Sequence, residues 1–137
     1  MARLAIAIDP KADQSPSEQL VQQVCFAVAG AVLAEGERMP LVRSLAVDAA
    51  VNPNTVGKAW RDLERMGVLD SRPGDGVFVA RGALARACTA RDAWLGTLLR
   101  RWIDDARVSG LSRREIERLF EAALANRRGW KHLGESA

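Results

Sequence analysis

An α+β fold, mostly helical, follows from three observations on the sequence. Two helical stretches, LVRSLAVDAA and NPNTVGKAWRDLERMG, are separated by only a few residues around Ala50 and Val51, so they must fold sharply on each other, as a helix-turn-helix does. Two β-rich runs, VLDSR and VFVAR, flank the turn PGDG, which is the pattern of a hairpin. Beyond Arg81 the apolar residues keep a helical period and no strand signal returns. The predicted order is an N-terminal winged helix-turn-helix domain over 1–80, with the helix-turn-helix at about 42–61 and the wing at about 68–80. A short C-terminal region of two helices over 81–125 follows, predicted to dimerise, and then a flexible tail over 126–137.

Each element has its own signal. LAIAID alternates Leu4, Ile6 and Ile8 with alanines, which predicts a short strand with one buried face. In SPSE, Ser15 is an N-cap, Pro16 suits the first helical position and Glu18 completes a capping box. The helix behind it carries Leu20, Val21, Val24, Val28 and Val32 at helical spacing, with Cys25 and Ala31 near that face, and is expected to run to Gly36. In the next helix Leu41, Leu45 and Ala49 fall on one side. The third has a core stripe of Val56, Ala59, Trp60 and Leu63 and a second face with Asn54, Lys58, Arg61 and Arg65. After the hairpin, Leu84, Cys88, Leu95, Leu98, Trp102 and Ile103 mark an apolar stripe. Ser112 and Glu115 then form a second capping box, opening a final helix whose Ile116, Leu119, Phe120 and Ala123 are expected inward.

Composition narrows the class. The chain has 137 residues, 48% hydrophobic and 27% charged, an ordinary globular balance. A net charge of +3 and a pI of about 9.4 admit a polyanionic partner without demanding one. Cys25 and Cys88 lie far apart among apolar neighbours, as buried free thiols do, which favours a reducing cytoplasm over secretion. MARLAIAID reaches an acid after a very short apolar run, unlike a signal peptide, and VCFAVAGAVLAEG is too short to span a membrane. A soluble cytoplasmic protein is expected.

The third helix poses the functional question. Asn52 can cap it, and Pro53 suits its first turn because the missing N–H would be unpaired anyway. Capping needs only one residue, which leaves Asn54 and Thr55 over. At the N-terminus of the second helix of a helix-turn-helix, Asn can pair with an adenine edge and Thr can reach a base or phosphate. Free backbone N–H groups and the positive dipole end favour phosphate in the same place. Lys58 and Arg61, one and two turns on, would meet the flanking backbone. Arg43, with Ser44 beside it, opens the preceding helix off the Leu41/Leu45 stripe; its plain alternative is a surface pair with Asp48. Gly74 and Gly76 let the hairpin backbone approach a phosphate, and Arg72 and Arg81 stand at its base. The competing reading is a solvated basic face on a winged helix that serves only protein interaction.

Other chemistry finds no footing. The single histidine, His132, lies in the expected tail, the serines are caps or turn residues, and Asp104 and Asp105 are sequential and point apart on a helix. No catalytic residue, metal or cofactor is expected. Two helices cannot enclose a core, so the stripe containing Leu84, Cys88, Leu95, Leu98, Trp102 and Ile103 needs cover. A second copy is the economical answer, and folding back onto the winged domain is the other. The region also looks too small for an enclosed pocket of several hundred Å3. A small effector at the dimer interface, near Trp94 or Trp102, stays open; its identity is unknown.

The run VLAEGERMPLVRSLAVDAAVNPNTVGKAWRDLERMGVLDSRPGDGVFVA resembles the winged-helix domain of GntR-family bacterial transcription regulators, and VNPNTV with the brief C-terminal region is similar to the YtrA-type subgroup. The resemblance covers roughly residues 5 to 80 by motif, and the remainder by length and helical pattern. It implies a homodimeric, sequence-specific regulator of double-stranded DNA that binds an inverted-repeat operator and associates with the nucleoid when bound. Such proteins are often repressors, frequently of ABC-transporter operons. The family's functional positions fall on Arg43, Asn52, Pro53, Asn54, Thr55 and Gly74. Four residues depart from its pattern: Leu41 replaces a small polar cap, Ala50 a turn glycine, Gly57 a basic or helix-favouring residue, and Val77 the usual Thr after the wing glycines.

Overall fold

A computed structural model describes residues 4–126. Its elements are α1 (Pro16–Ala29), α2 (Val42–Asp48), α3 (Pro53–Arg65), β1 (Leu69–Arg72), β2 (Gly76–Val79), α4 (Ala83–Val108) and α5 (Arg113–Ala125). The chain forms two compact units, one ending at Trp94 and one beginning at Leu95.

In the first unit α3 packs against α1, α2 and β1. Its Val56, Ala59, Trp60 and Leu63 are buried with Leu20, Val24, Cys25 and Val28 of α1, as their spacing predicts. The capping box of α1 also forms: Ser15 Oγ accepts the Glu18 N–H at 3.2 Å, and Glu18 Oε2 accepts the Ser15 N–H at 3.0 Å. The end of α1 differs from expectation. It stops at Ala29, where Ala31 takes a φ of 60° and the N–H groups of Ala31 and Val32 turn back to the carbonyls of Val28 and Ala27. The helix therefore never reaches Gly36; Val32 is 56% exposed and Leu33 takes the inward place.

The N-terminal segment is extended but is not a strand. Leu4, Ile6 and Ile8 do pack against the core, as the alternation requires. Glutamine side chains stand where a neighbouring strand would be. Gln23 accepts the Ala7 N–H at 3.0 Å and donates to its carbonyl at 2.7 Å, and Gln19, one turn earlier in α1, does the same for Asp9 at 2.8 and 2.9 Å. Periodicity reveals the buried face of such a segment, not the partner of its backbone.

Leu41 is the N-cap residue of α2, offers no side-chain bond and is exposed, so the inward face is Leu45 and Ala46. The helix closes as α1 does, with Ala50 at φ 55° and the Val51 N–H bound to the Ala46 carbonyl at 3.0 Å. This alanine makes the sharp turn into α3. In the wing, β1 and β2 pair antiparallel, Leu69 opposite Val79 and Arg72 opposite Gly76. Residues 36–39 add a third edge: the Gly36 and Met39 N–H groups donate to the carbonyls of Val79 and Val77, and the Val79 N–H donates to Glu37.

The start of α4 belongs to the first unit. The expected division at residue 80 differs from the one at Trp94 by these turns, whose Ala83 and Ala87 are fully buried in the core. Glu35 Oε1 accepts the Leu84 N–H at 3.2 Å, and the Arg86 guanidinium donates to the carbonyls of Gly67 and Arg81 at 3.0 and 3.1 Å. Alanine, not the Leu84 stripe, is the inward face here.

In the second unit Ser112 and Glu115 form their capping box, and the Trp102 and Phe120 rings lie 6.2 Å apart. The α5 face expected inward, Ile116, Leu119, Phe120 and Ala123, is covered only in part: Ile116 is half-buried and Phe120 meets Trp102. No α5 residue is buried, and Leu119 and Phe120 are exposed, because two helices have too little surface to cover one another. Asn126 caps α5; the rest of the expected tail, including His132, lies outside the described residues.

Candidate nucleic-acid interface

The tip of α3 is built from backbone economy. Pro53 needs no partner; Asn52 Oδ1 accepts the Asn54 N–H at 2.8 Å, and the Asn52 carbonyl accepts those of Thr55 at 2.9 Å and Val56 at 3.4 Å. No first-turn N–H is left over, so the free N–H groups expected to attract phosphate at this tip are already spent. What remains for an anion is the helix dipole and the side chains. The first turn of α2 is the opposite case. With no cap from Leu41, the N–H groups of Val42, Arg43 and Ser44 have no partner among the described residues.

The side chains divide by role. Asn52 is committed to the cap, whereas the exposed Asn54 amide bonds to no described residue and keeps its donors and acceptor. Thr55 is half-buried; Lys58 and Arg61 are exposed one and two turns on, and by spacing they share a face with Asn54. Arg43, Lys58 and Arg61 form no ion pair with any described residue, and Asp48 does not engage Arg43. Arg65, expected on the same face, is held by Asp62. Among the described residues the unpaired cations of α3 are therefore Lys58 and Arg61.

The wing tip is a tight turn. The Asp75 N–H donates to the Arg72 carbonyl at 2.9 Å, with Pro73 and Gly74 at its two corners and Gly74 at φ 82°, the type II arrangement. Arg72 lies 4.3 Å over the Phe78 ring and 3.5 Å from Asp70. A further arginine, absent from the expected set, joins it. Arg38 donates to the Asp75 carbonyl and stands 5.9 Å from the Phe78 centroid. Gly76 holds a φ of 121° that favours glycine, and a Cβ there would lie 3.1 Å from the Arg38 guanidinium, which would have to shift slightly. Nothing local marks Arg38 in GERMP; its role arises from pairing of residues 36–39 with β2.

The remaining expected residues lie elsewhere. Leu84 and Cys88 are on the first-unit part of α4, exposed and half-buried; Leu95, Leu98 and Trp102 are exposed and Ile103 half-buried in the second unit. That unit holds an open groove of about 560 Å3 lined by Ile103, Arg107, Leu111, Arg113, Ile116 and Glu117. The groove is open to solvent, so it is not the enclosed pocket for which the region looks too small. Trp102 does not line the groove; Trp94 borders a separate cleft of about 330 Å3 with Gln22, Asp62 and Met66. Among the described residues no three His, Cys, Asp or Glu side chains are grouped to hold a metal ion, and no helix is long and apolar enough to cross a membrane. Burial pushes the Cys25 thiol up to about 11.

Comparison with known proteins adds four findings. The family model for bacterial regulatory proteins of the gntR family matches residues 16–79, which run from α1 to β2. The chain is 32% identical over 116 residues to the HTH-type transcriptional repressor YtrA of Bacillus subtilis, covering 85% of this chain and 87% of that one. An HTH-type transcriptional regulator of Mycobacterium tuberculosis is 31% identical over 113 residues, 82% of this chain and 88% of that one. Among solved structures, a transcriptional regulator from Oenococcus oeni superposes with a TM-score of 0.70 at 29% identity, over 85% of this chain and 97% of its own.

Proposed function

The chain belongs to the GntR family of bacterial regulatory proteins, and from that premise we propose that it is a sequence-specific transcriptional repressor that reads an inverted-repeat operator with α3. The observation that carries this reading is Asn54. It occupies the second position of α3, is exposed, has no bonding partner for its side chain among the described residues, and is followed on the same face by two cations that pair with none of those residues.

Seated in the major groove, Asn54 offers an amide that can bond bidentately to adenine N6 and N7. Thr55 reaches a neighbouring base or phosphate, and Lys58 and Arg61 lie along the flanking phosphates. Asn52 and Pro53 act by shaping the tip. Arg43 and Ser44, with their unengaged N–H groups, meet phosphate at the start of α2. Gly74 and Gly76 bring the wing backbone close to the duplex, with Arg72 and Arg38 supplying its charge. Two copies join through the exposed Leu95, Leu98 and Trp102 with Ile103, Leu84 and Cys88. Their α3 helices then occupy half-sites roughly 34 Å apart, one turn of DNA. Occupancy of the operator in the cytoplasm, at the nucleoid, blocks transcription; the B. subtilis relative is named a transcriptional repressor. An ABC-transporter operon is the target that the resemblance implies.

Salt dependence of binding to a selected duplex tests the proposal. Cations that displace phosphate counterions give an affinity falling steeply and log-linearly with salt, by about 0.9 in the slope per phosphate neutralised. Affinity that stays near-millimolar at low salt for every duplex would return α3 to the protein-interaction reading.

A further inference from the structure

Gly57 is the fifth residue of α3, three residues after Asn54 and four before Arg61, so it sits in the middle of the proposed reading face. The helix gains nothing from it. Glycine in a helix interior is disfavoured roughly four- to fivefold relative to alanine. The fold does not require it either. Its φ is not positive, and a Cβ built on it would meet only the end of the Arg61 side chain at 3.5 Å, an ordinary contact. Gly76 in the wing, whose backbone angle calls for glycine, is the contrasting case. Among the described residues nothing blocks a methyl group at position 57.

We propose that Gly57 is a specificity-determining residue: its missing side chain leaves a notch in the reading face of α3 that receives the C5 methyl of a thymine. This rests on α3 being the DNA-reading helix. The notch contributes no polar side-chain group, so it cannot read a base by hydrogen bonding from a side chain. Apolar contact remains, and the thymine methyl is the apolar group that a base pair presents in the major groove. That thymine lies beside the base contacted by Asn54, and the closeness of the helix backbone there is what excludes a larger residue.

The test uses the full chain and Gly57→Ala, with duplexes first selected by the wild-type protein and then remade with deoxyuridine at each thymine in turn, which removes only the methyl. Gly57→Ala folds with an equal or higher melting temperature and binds the wild-type operator at least about tenfold more weakly, within the range that one base contact controls. Deoxyuridine at one thymine per half-site weakens the wild type and restores binding by Gly57→Ala. Unchanged affinity and unchanged selected sequence for Gly57→Ala overturn the inference, as do deoxyuridine effects identical in the two proteins. A wild-type chain that selects no sequence overturns the reading of α3 itself, and this inference with it.

Discussion

Asn52 and Asn54 are the same residue type two positions apart, and their surroundings give them different work. Asn52→Ala removes the cap bond to the Asn54 N–H and is expected to lower stability by about 1 kcal/mol. Asn54→Ala removes no internal bond, so its melting midpoint stays near the wild type while operator binding weakens by about 1–3 kcal/mol, with preference relaxed at one base position. Uniform weakening over all sequences would instead assign Asn54 to the phosphate backbone. Ala31 and Ala50 hold left-handed backbone that alanine adopts at a cost. Each, changed singly to glycine, should gain about 0.5–1 kcal/mol and several degrees in a thermal melt, after allowing for the greater freedom of glycine in the unfolded chain. A midpoint that falls contradicts the strain. Cys25 adds a pH dependence. Its thiol is raised from 9.0 to about 11 by burial, so between those values the unfolded chain has released the proton while the folded chain keeps it. Stability is unaffected by this group below pH 9.0 and declines as pH rises toward about 11, by at most about 1.4 kcal/mol per unit. Denaturant melts of wild type and Cys25→Ala at about pH 8 and pH 10 should show that slope in the wild type alone.

Among the elements, the wing depends most on long-range partners. Arg38→Ala leaves the Asp75 carbonyl and the Phe78 ring without one of their contacts, so the hairpin tip loosens while the helical core, which Arg38 does not touch, stays intact. Binding to the operator should weaken with a shallower salt slope and little change in melting temperature, read by fluorescence anisotropy across a salt series. Equal affinity would place the wing outside the interface. The contrast among elements also shows what the sequence can carry. The boxes at Ser15 and Ser112 are legible because a cap and its reciprocal Glu lie three residues apart, and α3 is legible because its polar and apolar faces are sharply separated. The end of α1 is hidden because the left-handed residue is Ala31, whereas the adjacent Gly30 keeps an ordinary φ of −86°. The inward face of α4 is hidden because Ala83 and Ala87 signal burial weakly beside Leu84. Arg38 and the bond from Gln23 to Ala7 depend on partners 37 and 16 residues away, beyond the reach of any local pattern.

For the whole molecule, the question is what covers the second unit. Leu95, Leu98 and Trp102 are 48%, 60% and 39% exposed, and Leu119 and Phe120 add to the exposed apolar surface of this unit. Light scattering at micromolar concentration should give twice the chain mass, and Leu98→Glu should halve it and weaken operator binding while the winged domain stays folded. The two faces of α3, the turn before it and the hairpin were all legible in the sequence, because their residues are neighbours along the chain. The wing's second arginine was not. The central claim is sequence reading by α3, and the measurement that reaches it most directly is selection of bound duplexes from a random pool by the full-length chain, repeated with Asn54→Ala. An enriched inverted repeat with an adenine in each half-site, lost or relaxed at that position in the variant, is the predicted result. A pool that shows no enriched sequence, or an enriched sequence indifferent to Asn54, contradicts it.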